Sequence, residues 1–131
     1  MSDLAAFLTA RLDEDEAVAT LAAREGGTWT QDDPVRRPGA ISSPGGPVVY
    51  DEGSPDENQA PHIARHDPAR VLREVKAKRQ AVRRCAARMD EMDMYPNGLV
   101  SPRAVLARQV LMDMGAVYSD HPDYDQAWNA G

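Results

Sequence analysis

Residues 62–88 read HIARHDPARVLREVKAKRQAVRRCAAR, and this stretch decides the fold. Asp67 is a typical helix N-cap, and Pro68 suits the first helical position, where its missing N–H costs nothing. Apolar residues then recur on one side through several turns, as in an amphipathic helix. They are Val71, Leu72, Val75, Val82, Ala86 and Met89. The pattern predicts a long helix from Pro68 to near Met92, ended by the proline and glycine of residues 96–98.

A first helix is predicted near the N-terminus. Ser2 is a reasonable N-cap, and Asp3 favours the positive end of the helix dipole. The apolar residues that follow share one wide face; they are Leu4, Phe7, Leu8, Val18, Leu21 and Ala22. Gly26-Gly27 is a typical helix stop. This first helix is therefore expected over about Asp3–Arg24.

A third helix is predicted after Ser101-Pro102, which repeats the cap-then-proline signature. Its apolar residues are Val105, Leu106, Val110, Leu111 and Met114, and Gly115 closes it. The polar tail beyond holds Tyr118, Tyr124 and Trp128. Aromatic residues contribute most when they are packed, so we expect the tail to end in a turn docked on the helices.

Residues 26–61 carry most of the prolines and glycines. Two pieces within them, GTWT at 27–30 and GPVVYD at 46–51, have strand-like composition, whereas the prolines between them oppose regular structure. We expect a small, flexible β-hairpin insertion here, followed by a short helical turn at Ala60–Arg65. The predicted fold is mainly α: one domain, residues 1–131, in which an antiparallel three-helix bundle carries this hairpin between its first and second helices.

Composition excludes several classes of protein. A single cysteine, Cys85, rules out an intramolecular disulfide and a multi-cysteine zinc site, and its apolar neighbours predict a packing role. No apolar run approaches the ~20 residues that cross a bilayer, so no membrane contact and a cytoplasmic location are expected. The net charge of −6 argues against a general nucleic-acid binder.

That net charge hides a segregation. The central helix carries eight basic residues between Asp67 and Arg88 against two acidic ones, whereas the first helix holds the acidic run of residues 13–16. We expect the two helices to lie side by side and the remaining basic residues to be solvated or to bind a partner. The predicted binding residues are Arg73, Lys76, Arg83 and Arg84. An alternative is that these residues track phosphates of a nucleic acid.

Three charged residues interrupt the apolar faces of the predicted helices. Arg11 and Asp15 project onto the apolar face of the first helix, and Arg79 lies among the apolar residues of the second. One interpretation is that these side chains extend past the core to water or that the helix bends. The other is an ion pair in the seam between the helices, with Asp15 bonded to Arg11 or Arg79.

Residues with metal-binding or catalytic chemistry are few. His62 and His66 are four apart, as metal-binding pairs are, but the glutamate of a zinc protease is missing and Pro68 follows closely. We expect His66 and His121 to be boundary residues beside Asp-Pro and Pro-Asp turns, with no metal and no cofactor. No glycine loop is followed by the Lys-Ser/Thr pair of a phosphate site, so no catalytic residue is predicted.

Three sequence blocks resemble a family of small uncharacterised proteins from actinobacteria and their phages, a domain of unknown function. The blocks are DLAAFLTARLDEDE at 3–16, HIARHDPARVLREVKAKR at 62–79 and SDHPDYDQAW at 119–128. Many members of that family carry a CxxC pair between the second and third blocks, and this sequence has none there. The resemblance implies that the protein comes from an actinobacterium or its phage, but it implies no biochemical mechanism.

These features together predict a non-enzymatic accessory protein of a phage, prophage or actinobacterium that acts by protein–protein contact. The alternative is a nucleic-acid-binding module that uses the same basic residues. A homo-oligomer is compatible with the sequence.

Overall fold

The computed structural model describes residues 2–91 and 98–130. Over these ranges the chain forms four α-helices, three β-strands and a 3-10 helix. In chain order they are α1 (Asp3–Ala22), β1 (Thr30–Asp33), β2 (Arg37–Ser43), β3 (Gly46–Val49), α2 (Gln59–Arg65), α3 (Pro68–Asp90), α4 (Pro102–Ala116) and the 3-10 helix Gln126–Ala130. The predicted three-helix bundle with a two-stranded hairpin is therefore wrong.

The three long helices begin where their caps predict, at Asp3, Pro68 and Pro102. Ser2 caps α1, because its Oγ accepts a hydrogen bond from the Ala5 N–H at 3.2 Å. α3 is assigned as far as Asp90, and its predicted end near Met92 lies outside the described residues. Local capping signals thus placed the helix starts correctly.

The strand that the sequence did not predict is β2, which is central in the antiparallel sheet β1-β2-β3. Ala40 and Ile41 are buried and give this strand its apolar contacts. Gly39 belongs to the strand rather than breaking it, because a Cβ at that position would collide with the carbonyl oxygen of Pro55. Glycine here therefore marks a close backbone approach.

The pairing in the sheet shows that β2 is bonded to a strand on each side, so the predicted two-stranded hairpin lacked the central strand. Ile41 of β2 is paired with Gln31 on β1 and with Val49 on β3. β1 starts at Thr30, where the predicted first strand ended, and β3 starts at Gly46 as predicted. An isolated two-stranded hairpin is marginal in water, whereas a third strand with a buried face is stabilising.

The fourth helix is α2, which the sequence predicted only as a short turn. Asp56 precedes it, and its Oδ1 accepts the backbone N–H groups of Asn58 and Gln59, each at 2.8 Å. Ala60 is fully buried, and α2 packs on β1 and β2. A helix of seven residues is too short to be stable alone, so this packing is what holds it.

The chain divides into two compact units, the first of residues 1–14 with 76–131 and the second of residues 15–75. The second unit contains the sheet, α2 and the start of α3. The buried Asp67 ties this unit together: its Oδ1 accepts the Arg70 N–H at 2.9 Å, and its Oδ2 accepts the Trp29 N–H at 3.0 Å. Asp67, the predicted N-cap of α3, therefore also holds the backbone of Trp29, the residue immediately before β1.

The first unit is built around leucines. Leu4, Leu8 and Leu12 on α1 and Leu111 on α4 are almost completely buried. Gly115 lets α4 lie close to α1, because a Cβ there would be 3.1 Å from Leu4 Cδ1. The small size of Gly115 therefore allows α4 to approach α1 closely.

Candidate binding surface

Seven of the eight basic residues of α3 fall into two groups according to whether they have a carboxylate partner among residues 2–91 and 98–130. Three arginines are paired: Arg70 Nε lies 2.9 Å from Glu74 Oε1, Arg79 Nη2 lies 2.7 Å from Asp13 Oδ1, and Arg88 Nη1 lies 2.6 Å from Glu91 Oε1. The Arg79–Asp13 pair joins α3 to α1 within the first unit, which agrees with the predicted side-by-side arrangement of the acidic and basic helices. These arginines are committed to contacts within the chain.

The second group consists of the four predicted binding residues, Arg73, Lys76, Arg83 and Arg84. All four are exposed, and none has an ion-pair partner among residues 2–91 and 98–130. Arg73 belongs to the second unit and the other three to the first. At ~100° per residue, Lys76, Arg83 and Arg84 fall within about a quarter of the helix circumference. We call these three residues the basic face.

The basic face borders a groove between α1 and α3 within the first unit. This groove encloses about 300 Å³ and is lined by Thr9, Leu12, Asp13, Arg79, Val82, Arg83 and Ala86. Leu12 and Val82 are buried and form an apolar floor. Arg83 therefore belongs to both features, so a single partner could contact the charge and the apolar floor together.

Arg11 is buried, and its guanidinium is surrounded by polar and aromatic groups of the first unit. Its Nη2 lies 3.0 Å from Glu14 Oε1, and its Nη1 lies 3.8 Å from Asp123 Oδ2 and donates to the imidazole of His121. The guanidinium carbon is 5.1 Å from the centre of the Phe7 ring, within cation–π range. Arg11 is thus a structural residue and is not available to a partner.

The predicted seam ion pair among Arg11, Asp15 and Arg79 stays a prediction. Arg79 bonds Asp13, one of the acidic residues of the same run. Asp15 is half-buried and belongs to the second unit. The contacts with Glu14, Asp13 and the tail were not foreseen, since a helical wheel gives the side on which a residue lies but not which neighbour it reaches.

The tail docks on α1, as its aromatic content predicts. Around the Phe7 ring lie four rings of the tail, with centroid separations of 6.3 Å for Tyr118, 5.7 Å for His121, 5.8 Å for Tyr124 and 5.1 Å for Trp128. We call these five residues the aromatic cluster. The sequence pattern predicted His121 only as a residue at a turn. Its position three residues from both Tyr118 and Tyr124 was the signal that could have predicted its place in the aromatic cluster.

The histidine pair and the cysteine show no built chemical site. His62 and His66 are exposed, their rings are 4.3 Å apart, and His66 Nδ1 lies 2.8 Å from the His62 carbonyl oxygen. Among the described residues, no group of three His, Cys, Asp or Glu side chains could hold a metal. Cys85 is half-buried, and burial raises the pKa of its thiol, which keeps it protonated and poorly nucleophilic at neutral pH.

No helix in residues 2–91 or 98–130 is both long and apolar enough to cross a bilayer.

The chain belongs to DUF6221, described as a family of unknown function, whose model matches residues 1–130. This confirms the part of the sequence resemblance that concerned a domain of unknown function. No curated protein and no solved structure matches the chain.

Proposed function

We propose that this protein is a non-enzymatic binding protein whose basic face, Lys76, Arg83 and Arg84, contacts an acidic surface of a protein partner. The observation that carries the proposal is the division of the basic residues on α3. Arg70, Arg79 and Arg88 are paired, whereas the three residues of the basic face have no carboxylate partner in the described part of the chain. Clustered unpaired cations repel one another, so an anionic partner relieves that repulsion.

The groove beside Arg83 favours a protein over a nucleic acid as the partner. Its floor, formed by Leu12 and Val82, is apolar. A phosphate backbone gains nothing from the apolar floor, whereas a peptide can place an aliphatic side chain in the groove and a carboxylate on Arg83. We therefore assign the surface to an acidic protein segment that also carries an apolar residue.

The test compares capture of host proteins by the wild-type chain and by two triple variants of equal charge. The first is Lys76→Ala/Arg83→Ala/Arg84→Ala, which removes the basic face. The matched control is Arg36→Ala/Arg65→Ala/Arg108→Ala, which removes three cations elsewhere. A specific partner should bind the wild type and the control, and should be lost with the first variant.

Cross-linking of the captured complex should then place an acidic segment of the partner within reach of Lys76. Equal capture by both triple variants would contradict the proposal, as would a cross-linked segment without acidic residues.

The alternative, nucleic-acid binding through the same face, has a distinct signature. Three phosphate contacts predict a slope of about −0.9 × 3, or roughly −2.7, in a plot of log binding constant against log salt concentration. Fluorescence anisotropy with duplex and single-stranded DNA measures this slope. Micromolar DNA binding with that slope, lost in the basic-face variant, would replace our proposal with the alternative.

We further propose that the protein acts in the cytoplasm of an actinobacterium, encoded by the bacterium or by its phage. Thirteen of its fifteen basic residues are arginine, and this bias, with abundant alanine, is expected from a GC-rich genome. Recovery of the partner from an actinobacterial lysate, and not from an unrelated host, would support this setting.

A further inference from the structure

α4 has an inner side that is buried and an outer side whose apolar residues are left exposed by the described part of the chain. Its inner side is buried in the first unit through Ala104, Ala107, Leu111 and Gly115. Its outer side leaves Leu106 62% exposed, and the adjoining Val117 is 68% exposed. Exposed apolar side chains that are grouped together and bordered by charged residues often mark a binding surface, so this outer side is expected to have a partner.

The outer side of α4 is a line of apolar residues with one basic and one acidic residue beside it. At ~100° per residue, Leu106, Val110 and Val117 lie along one line, and Arg103 and Asp113 lie about 40° to either side of it. Arg103 and Asp113 are exposed, and neither has an ion-pair partner within residues 2–91 and 98–130. We call these five residues the outer stripe.

We propose that the outer stripe pairs with the outer stripe of a second copy of this chain, the two α4 helices being antiparallel about a two-fold axis level with Arg108. Arg103 and Asp113 each lie five residues from Arg108, on opposite sides of it along the chain. The two-fold axis therefore brings Arg103 of one copy level with Asp113 of the other. Leu106 and Val110 each lie two residues from Arg108 and become level in the same way.

This self-complementarity is what selects a second copy over another apolar partner. The two-fold axis produces every contact twice, so one antiparallel register gives two charge pairs and two apolar layers. Helices in contact have axes about 8–10 Å apart, a separation that an arginine side chain spans to reach an aspartate in the same layer. A parallel arrangement would put Arg103 level with Arg103 and Asp113 level with Asp113, which repel.

The inference does not depend on the proposed function, because the basic face lies on α3. The basic-face triple variant is therefore expected to dimerise like the wild type. This keeps failure of the pairing distinguishable from failure of the proposed function.

The test is sedimentation velocity of the full chain over a concentration series. The wild type is expected to pass from monomer to dimer. Arg103→Asp and Asp113→Arg each place like charges together twice in a dimer, so each should raise the dissociation constant by more than about tenfold. An equimolar mixture of the two variants should dimerise again, because one copy then carries aspartate at both positions and the other carries arginine at both. The double variant should dimerise by itself.

Arg108→Asp is the matched control, since its side chain points away from the outer stripe and its charge change is the same. Circular dichroism checks that each variant stays folded. A wild type that is monomeric at every concentration overturns the inference. A dimer that Arg103→Asp leaves unchanged, or single variants that do not recover on mixing, would also overturn it.

Discussion

Phe7→Ala should remove the centre of the aromatic cluster and cost about 4 kcal/mol of unfolding free energy. Phe7 is 7% exposed, and four aromatic rings lie within 6.3 Å of its centroid. Truncating a buried phenylalanine to alanine typically costs about 3–5 kcal/mol. Aromatic pairs add about 0.5–1.5 kcal/mol beyond buried area, which raises the expected loss from the lower end of that range to about 4 kcal/mol. Phe7→Leu keeps most of the apolar area and should cost about 1–2 kcal/mol.

Urea unfolding followed by circular dichroism measures the free energy, and tryptophan fluorescence reports the docking of the tail. A Trp29→Phe background leaves Trp128 as the single tryptophan. Phe7→Ala in this background should shift the Trp128 emission to the red, since the indole loses its packing partner. Val35→Ala is the control, because Val35 is 88% exposed and its loss should cost under about 0.5 kcal/mol. A loss below about 1 kcal/mol with unshifted Trp128 emission would refute the assignment of Phe7 as the centre of the cluster.

Three further changes test other contacts. Arg11→Met should change the unfolding free energy by less than about 1 kcal/mol, because the carboxylate partners of Arg11 are exposed and its Nε is buried without a hydrogen-bond partner among the described residues. Arg11→Ala also removes the packed aliphatic part of the side chain and should cost about 2 kcal/mol. Asp67→Ala should cost about 2–3 kcal/mol, because it removes the hydrogen bonds from Arg70 N–H and Trp29 N–H. The backbone N–H groups of Arg36 and Val35 donate to the Asp33 carboxylate and lower its pKa. The ionised Asp33 carboxylate therefore stabilises the folded chain above the ordinary carboxyl pKa, and this stabilisation is lost as pH falls through the lowered value.

Each of these expectations has a measurement and a contrary result. Urea unfolding measures the Arg11 and Asp67 variants, and equal losses for Arg11→Met and Arg11→Ala would show that the charge outweighs the packing. Asp67→Asn is the control for Asp67→Ala, since asparagine still caps a helix and should lose less. For Asp33, the protection of the Val35 and Arg36 amides, measured as hydrogen exchange relative to the intrinsic rate at each pH, should be lost below the lowered pKa, and Asp33→Ala should remove the protection at every pH.

The helix starts could be predicted from sequence because capping is local. Ser2 and Asp67 cap their helices by accepting backbone N–H groups within one turn, and Pro102 suits the first position of α4, so these signals survive without knowledge of the fold. The exposed basic face could also be placed, because helical periodicity separates it from Val75 and Val82. Which cations of α3 pair with carboxylates could not be predicted, since pairing depends on which carboxylates other elements bring near α3.

The sheet shows the opposite case. Pro38 and Gly39 oppose regular structure when read locally, yet β2 forms because Ala40 and Ile41 are buried and the flanking strands satisfy its backbone. That stabilisation comes from residues distant in sequence, which a local pattern cannot reveal.

The sequence by itself determined the helix starts, the sign of each helix surface and the docking of an aromatic tail, because each follows from residues close along the chain. Tertiary structure alone decided that β2 is a strand, that Arg11 contacts His121, and that Arg79 of α3 pairs with Asp13. Those outcomes depend on contacts between residues far apart in sequence, and only the folded chain brings them within a few ångströms.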